Sequence, residues 1–144
     1  MEAQLKKALW RAFALITLGS APAFAQPFPR TGAADVPNGL AAPFVGRWSV
    51  GFPEGEGMIN GKPVATCDEP IVLSAGAETV LIYKSPRGST TLKLAAFAGR
   101  TSWLSQGPST LAVWTDRSTF YTYRVDPMTG RANWSDPRVY RRCA

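Results

Sequence analysis

From Phe44 onward the chain breaks into short apolar stretches at intervals of roughly 8–12 residues, the rhythm of a β-sandwich or barrel. The runs are "PFVGRWSVGF" (43–52), "TVLIYK" (79–84), "TTLKLAAF" (90–97), "RTSWLS" (100–105), "TLAVWT" (110–115) and "TFYTYRV" (119–125), then 132–134 and 138–143. Between them stand turn formers such as "SPRG" (85–88), "QGPS" (106–109) and "DPMTG" (126–130). In the last of these proline presets its own φ and the closing glycine accepts a left-handed conformation. Asn60-Gly61 is a second hairpin candidate, although Pro63 then favours an edge or a bulge. No window carries a helical apolar stripe, and no segment repeats. Short connections favour an antiparallel meander over crossovers, so the expected fold is all-β, a closed antiparallel meander barrel of about eight short strands.

The first run has an internal oddity. Phe44, Trp48, Val50 and Phe52 alternate along one face of a strand, and Gly46 occupies that same face where another apolar side chain belongs. The smallest residue therefore stands two positions from the largest.

The start of the chain reads as a secretory signal peptide over 1–25. Lys6, Lys7 and Arg11 precede an apolar run at 12–18, and Ala23-Phe24-Ala25 supplies the small-residue cleavage pattern. That run is well short of the ~20 residues needed to span a bilayer. Cleavage after Ala25 would leave 119 of the 144 residues as an exported, periplasmic or secreted protein with no membrane span. Without Lys6, Lys7, Arg11 and Glu2 the formal charge falls from +6 to +4, a mild basic bias that does not call for nucleic acid. Residues 26–43, with four prolines and two glycines, read as an extended or flexible leader, and 44–144 as the barrel domain. Cys67 and Cys143 suit an oxidising compartment and most simply form one disulfide.

Histidine is absent, so Ser-His-Asp and Cys-His catalysis are excluded together with the commonest metal ligand. The carboxylate pairs Glu54/Glu56 and Asp68/Glu69 are the remaining acid–base or cation candidates. Neither brings a third ligand or EF-type spacing. No cofactor and no metal is expected. Trp103, Trp114, Phe120, Tyr121, Tyr123, Trp134 and Tyr140 crowd the C-terminal half with Arg124, Arg131 and Arg138 nearby, and Trp103, Trp114, Tyr121 and Tyr123 with Arg124 form the candidate binding set. They read either as a stacking platform for a small ligand or as the filling of a narrow barrel.

Gly46-x-Trp48 on the first strand resembles the signature of the lipocalins and the wider calycin barrels. The resemblance implies that Trp48 closes the barrel floor and that an arginine of the last strand lies over its ring. That arginine is Arg141 or Arg142, and Arg141 is preferred if Val139 and Cys143 face inward. A disulfide from an early strand to the C-terminus also resembles what many lipocalins carry. The size is similar to that of the small periplasmic inhibitors of bacterial metalloproteases, whose disulfide instead closes a short N-terminal loop. Two functions follow as expectations. The first is non-catalytic binding of a small amphipathic or hydrophobic ligand, or of a protein partner. The second is protease inhibition through the leader, with a carboxylate-dependent hydrolase a distant third.

Overall fold

The computed structural model describes residues 28–53, 58–59 and 62–144. The strands are β1 (Gly46–Gly51), β2 (Met58–Ile59), β3 (Lys62–Pro63), β4 (Ile71–Ala77), β5 (Val80–Ser85), β6 (Gly88–Phe97), β7 (Arg100–Leu104), β8 (Thr110–Asp116), β9 (Thr119–Arg124) and β10 (Arg138–Arg142). Eight of them form a closed antiparallel barrel in which β4 to β10 follow one another as a meander and β1 closes the ring between β10 and β4. β2 and β3 pair separately, Met58 opposite Pro63 and Ile59 opposite Lys62. Closure leaves these eight strands without a free edge, which removes the usual route to edge-to-edge aggregation. No helix among the described residues is long and apolar enough to cross a membrane.

Two expected strand positions differ. β4, "IVLSAGA", was not among the sequence-predicted runs, because its second half is built from serine, alanine and glycine. It forms because its partners supply the apolar surface: Leu73 sits opposite both Gly46 and Tyr83, and Ala75 opposite Leu81. Residues 132–134 are not a strand; a single bridge from Ala132 to Val125 is all that region contributes. The 126–130 turn forms as its chemistry requires. Gly130 takes φ +68 and donates to the Asp126 carbonyl at 2.8 Å, while the Asp126 carboxylate accepts from Met128 N–H.

One end of the barrel is sealed, and the opening oddity is explained there. Trp48 is fully buried, its indole N–H donates to the Phe44 carbonyl at 2.8 Å, and Phe120 and Trp114 pack against its ring. The Arg142 guanidinium lies over that ring, 4.3 Å from its centroid, and donates to the carbonyls of Val45, Pro43 and Arg117. Gly46 is the residue that lets it in: a Cβ at that position would meet Arg142 Nη1 at 2.6 Å, and its φ of +148 is one that side-chain-bearing residues avoid. Such a cation–π contact contributes ~0.5–2 kcal/mol, according to its desolvation.

The closing arginine is therefore Arg142 and not the expected Arg141. Register decides it: Trp48 pairs with Arg142 and shares its face, whereas Arg141 pairs with Ser49 on the opposite one. The premise of an inward Val139 fails, since it alternates with Tyr140 of the core and pairs with Gly51 and Tyr121 on the outer face. Val139 is nonetheless buried there.

From Gly32 on, the leader, expected to be extended or flexible, packs across the sealed end. Gly32 N–H donates to Gly99, Ala33 to Trp114 and Ala41 to Glu78, and Gly39 donates to the buried Thr101 hydroxyl. Val36, Ala41 and Phe44 are buried in the core, and a short 3-10 turn at Ala42–Phe44 delivers the chain into β1. Cys67 and Cys143 form the expected disulfide, with Cα atoms 5.6 Å apart. Cys143 N–H donates to the Arg47 carbonyl and Arg47 reaches the Cys67 carbonyl, so the bridge is fastened to β1 on both sides.

Candidate functional site

The inner face of the barrel changes character along its axis. Near the sealed end, Phe120 touches the rings of Phe44, Trp48, Trp103 and Trp114 with centroids 4.8–5.7 Å apart, and stacks on Tyr140 at 4.6 Å with the planes only 10° off parallel. This aromatic layer leaves no passage deeper into the barrel. Beyond it, toward the ends where β9 finishes and β10 begins, inward positions turn to threonine, tyrosine and arginine. A cavity of about 430 Å³ opens there, within the usual range of small-ligand pockets of ~300–1,000 Å³.

Six strands and two loops build its wall. Trp103 of β7 and Leu92 of β6 form the apolar part, with Phe52 contributed from beyond β1. Tyr83 and Tyr140 meet hydroxyl to hydroxyl at 3.1 Å, and Trp103 stands edge-on to both rings at 6.1 and 5.9 Å. Burial raises the pKa of both phenols above the ordinary tyrosine value, so at neutral pH one hydroxyl donates to the other. The positive charge of Arg138 partly opposes that rise, which places its guanidinium in electrostatic reach of the pair. Thr90, Thr110 and Thr122 add hydroxyls, and Arg124, Arg138 and Asp136 supply the charges. The Trp103 indole N–H is buried without a hydrogen-bond partner among the described residues. A buried donor left unpaired costs ~1–3 kcal/mol.

The five candidate binding residues do not converge. Trp103, Trp114 and Arg124 face the interior, but only Trp103 and Arg124 line the cavity; Trp114 belongs to the aromatic layer beneath it. Tyr121 and Tyr123 lie on the outer face. Tyr123 donates its hydroxyl to the Pro29 carbonyl and packs edge-on against Trp134 at 4.7 Å, while Tyr121 meets Phe28. Arg30 and Arg100 both lie over the Trp134 ring, at 5.2 and 4.8 Å. These outer aromatics fasten the leader to the barrel wall. Trp103 is packed as a narrow-barrel filling residue and lines open space as well, so the two readings of the aromatic set are divided between the two ends of the molecule.

Tyr83 and the three threonines were not among the sequence candidates, and Tyr140 and Arg138 stood only beside the five-residue set, in the crowd of aromatics and nearby arginines. Their signal was present in the alternation: stepping by two from Arg124 reaches Thr122, and stepping by two from Tyr140 reaches Arg138. Asp68 and Glu69 are exposed in the loop before β4 and do not reach the cavity, and Glu54 and Glu56 lie outside the described residues. No cluster of three or more metal-type ligands occurs among the described residues.

No protein-family model, curated protein or solved structure matches this chain. The closed eight-stranded antiparallel barrel is compatible with a lipocalin-like one, and the likeness rests on that architecture, on Gly46-x-Trp48 and on Arg142.

Proposed function

We propose that this is an exported binding protein, without catalytic activity, that holds a small amphipathic ligand in the mouth of its barrel. The observation that carries the reading is the cavity of about 430 Å³ at one end of an otherwise filled barrel, with aromatic walls and a polar, charged rim. Two features weigh toward binding over turnover. Burial pushes the phenols facing the cavity still further above neutral pH than an ordinary tyrosine, and Asp136 is the single carboxylate among the described lining residues. Export accords with the disulfide, which persists in oxidising compartments.

Protease inhibition by an inserting leader is the weaker reading. From Gly32 to Ala41 the leader is hydrogen-bonded to its own barrel and buries Val36 and Ala41, so an inserting segment would have to release those contacts or lie before them.

The test is native mass spectrometry of the protein isolated from its host's exported fraction, alongside a Thr110→Trp variant that fills the mouth. The expected result is a small molecule of defined mass on the wild type and none on the variant. A bare wild-type chain, or the same adduct on both, would contradict the proposal.

A further inference from the structure

Resting on the mouth-binding reading above, we infer that the ligand is a compact ring system carrying one anionic group, and not a long-chain lipid. Depth is the first argument. The cavity ends on the layer of Phe120, Trp103 and Tyr140, and Trp48, Trp114 and Phe44 fill the barrel below it. An extended acyl chain therefore finds no channel to enter.

Its walls are the second argument. Trp103, Tyr83, Tyr140 and Phe52 surround the cavity, and aromatic side chains favour flat partners in offset or edge-to-face contact. Trp103 is more than nine-tenths buried, so the part of its ring that borders the cavity is a fixed aromatic surface.

Charge is the third. Arg138 sits opposite Thr122, and Arg124 is two residues further along β9 on the same inward face, so the two arginines are diagonal neighbours on one side of the rim. Diagonal positions of this kind lie ~7–8 Å apart, within the span of two long side chains converging on one group. Against these two cations, the described lining residues offer one carboxylate, Asp136. Paired guanidinium groups suit a carboxylate or similar oxyanion through charge-assisted hydrogen bonds. Hydroxyls from Thr110, directly across from Arg124, and from Thr122 extend that polar collar.

Isothermal titration calorimetry on the full mature chain, with three probes, tests this. Naphthalene-2-carboxylate is the compact ring anion, naphthalene-2-methanol its neutral counterpart, and hexadecanoate the long-chain anion. The expected result is 1:1 binding of the naphthoate, at least tenfold tighter than either of the others. That advantage over the neutral ring should disappear in an Arg124→Gln, Arg138→Gln double variant whose circular dichroism and melting match the wild type. Arg124→Gln alone, at an exposed residue, serves if the double variant does not fold, and should remove part of the advantage. Equal binding of the two naphthalenes, or tighter binding of hexadecanoate, would overturn the inference while leaving the mouth-binding reading in place, provided Thr110→Trp abolishes the binding seen. Binding that persists in Thr110→Trp, or no binding of any probe, would overturn both.

Discussion

The two ends of this barrel are made from the same strands and are opposite in construction. At the sealed end Phe44, Trp48, Trp114 and Phe120 fill the interior, and Arg142, admitted by Gly46, is held over Trp48 by carbonyls of three different residues. At the mouth the corresponding cations, Arg124 and Arg138, border an open cavity and stand opposite threonines instead of a packed ring. One arginine thus serves as a structural pin and two are left facing free space. In such a small barrel, filling one half supplies the apolar burial that stabilises the fold, and leaves the other half free to remain hollow.

The comparison can be broken first at its strongest point. Trp48→Ala removes a fully buried indole from the centre of the sealed end and should destabilise by about 3–5 kcal/mol in urea unfolding. A loss below about 1 kcal/mol would mean that the aromatic layer does not carry the fold. A smaller effect sharpens the assignment of the pin. Arg142→Gln gives up the ring contact and several hydrogen bonds to backbone carbonyls, and should cost about 1–3 kcal/mol. Arg141→Gln, one residue away and outward-facing, should stay within about 0.5 kcal/mol of wild type. Equal losses from the two variants would remove the distinction.

The sealed end was largely legible in the sequence and the mouth largely was not. Gly46-x-Trp48 is a local signal: a tryptophan with a glycine two residues before it on one strand announces a ring with something lying close beside it. The cysteine pair was equally readable, because the cysteines are the only two and have no histidine to share a metal with. Which arginine reached the ring was not local. It depended on the register of β10 against β1, and Val139, buried on the outer face, misdirected the alternation argument by looking like a core residue. The same cause misplaced Tyr121 and Tyr123, whose outer face is covered by the leader and by Trp134 and so carries aromatics that alternation alone would assign to a core or an exposed platform. The mouth is assembled from one or two residues each of β5 to β10, unremarkable in their own strands, and only closure of the ring brings Tyr83 to Tyr140. The expected number of barrel strands came out right while one member was exchanged. Residues 132–134 contain a tryptophan but form a loop, and the small-residue strand β4 takes the place.

The central claim is that the sealed end carries the fold and the mouth carries the binding. The most direct measurement is urea unfolding of the ligand-free Arg124→Gln, Arg138→Gln variant beside the wild type. If the rim arginines are held for a ligand, the two curves should agree to within about 0.5 kcal/mol, since each substitution removes a charge from the edge of a cavity and empties no packed site. A loss of 2 kcal/mol or more would make these arginines structural pins like Arg142, and would contradict the division of the barrel into a filled half and a binding half.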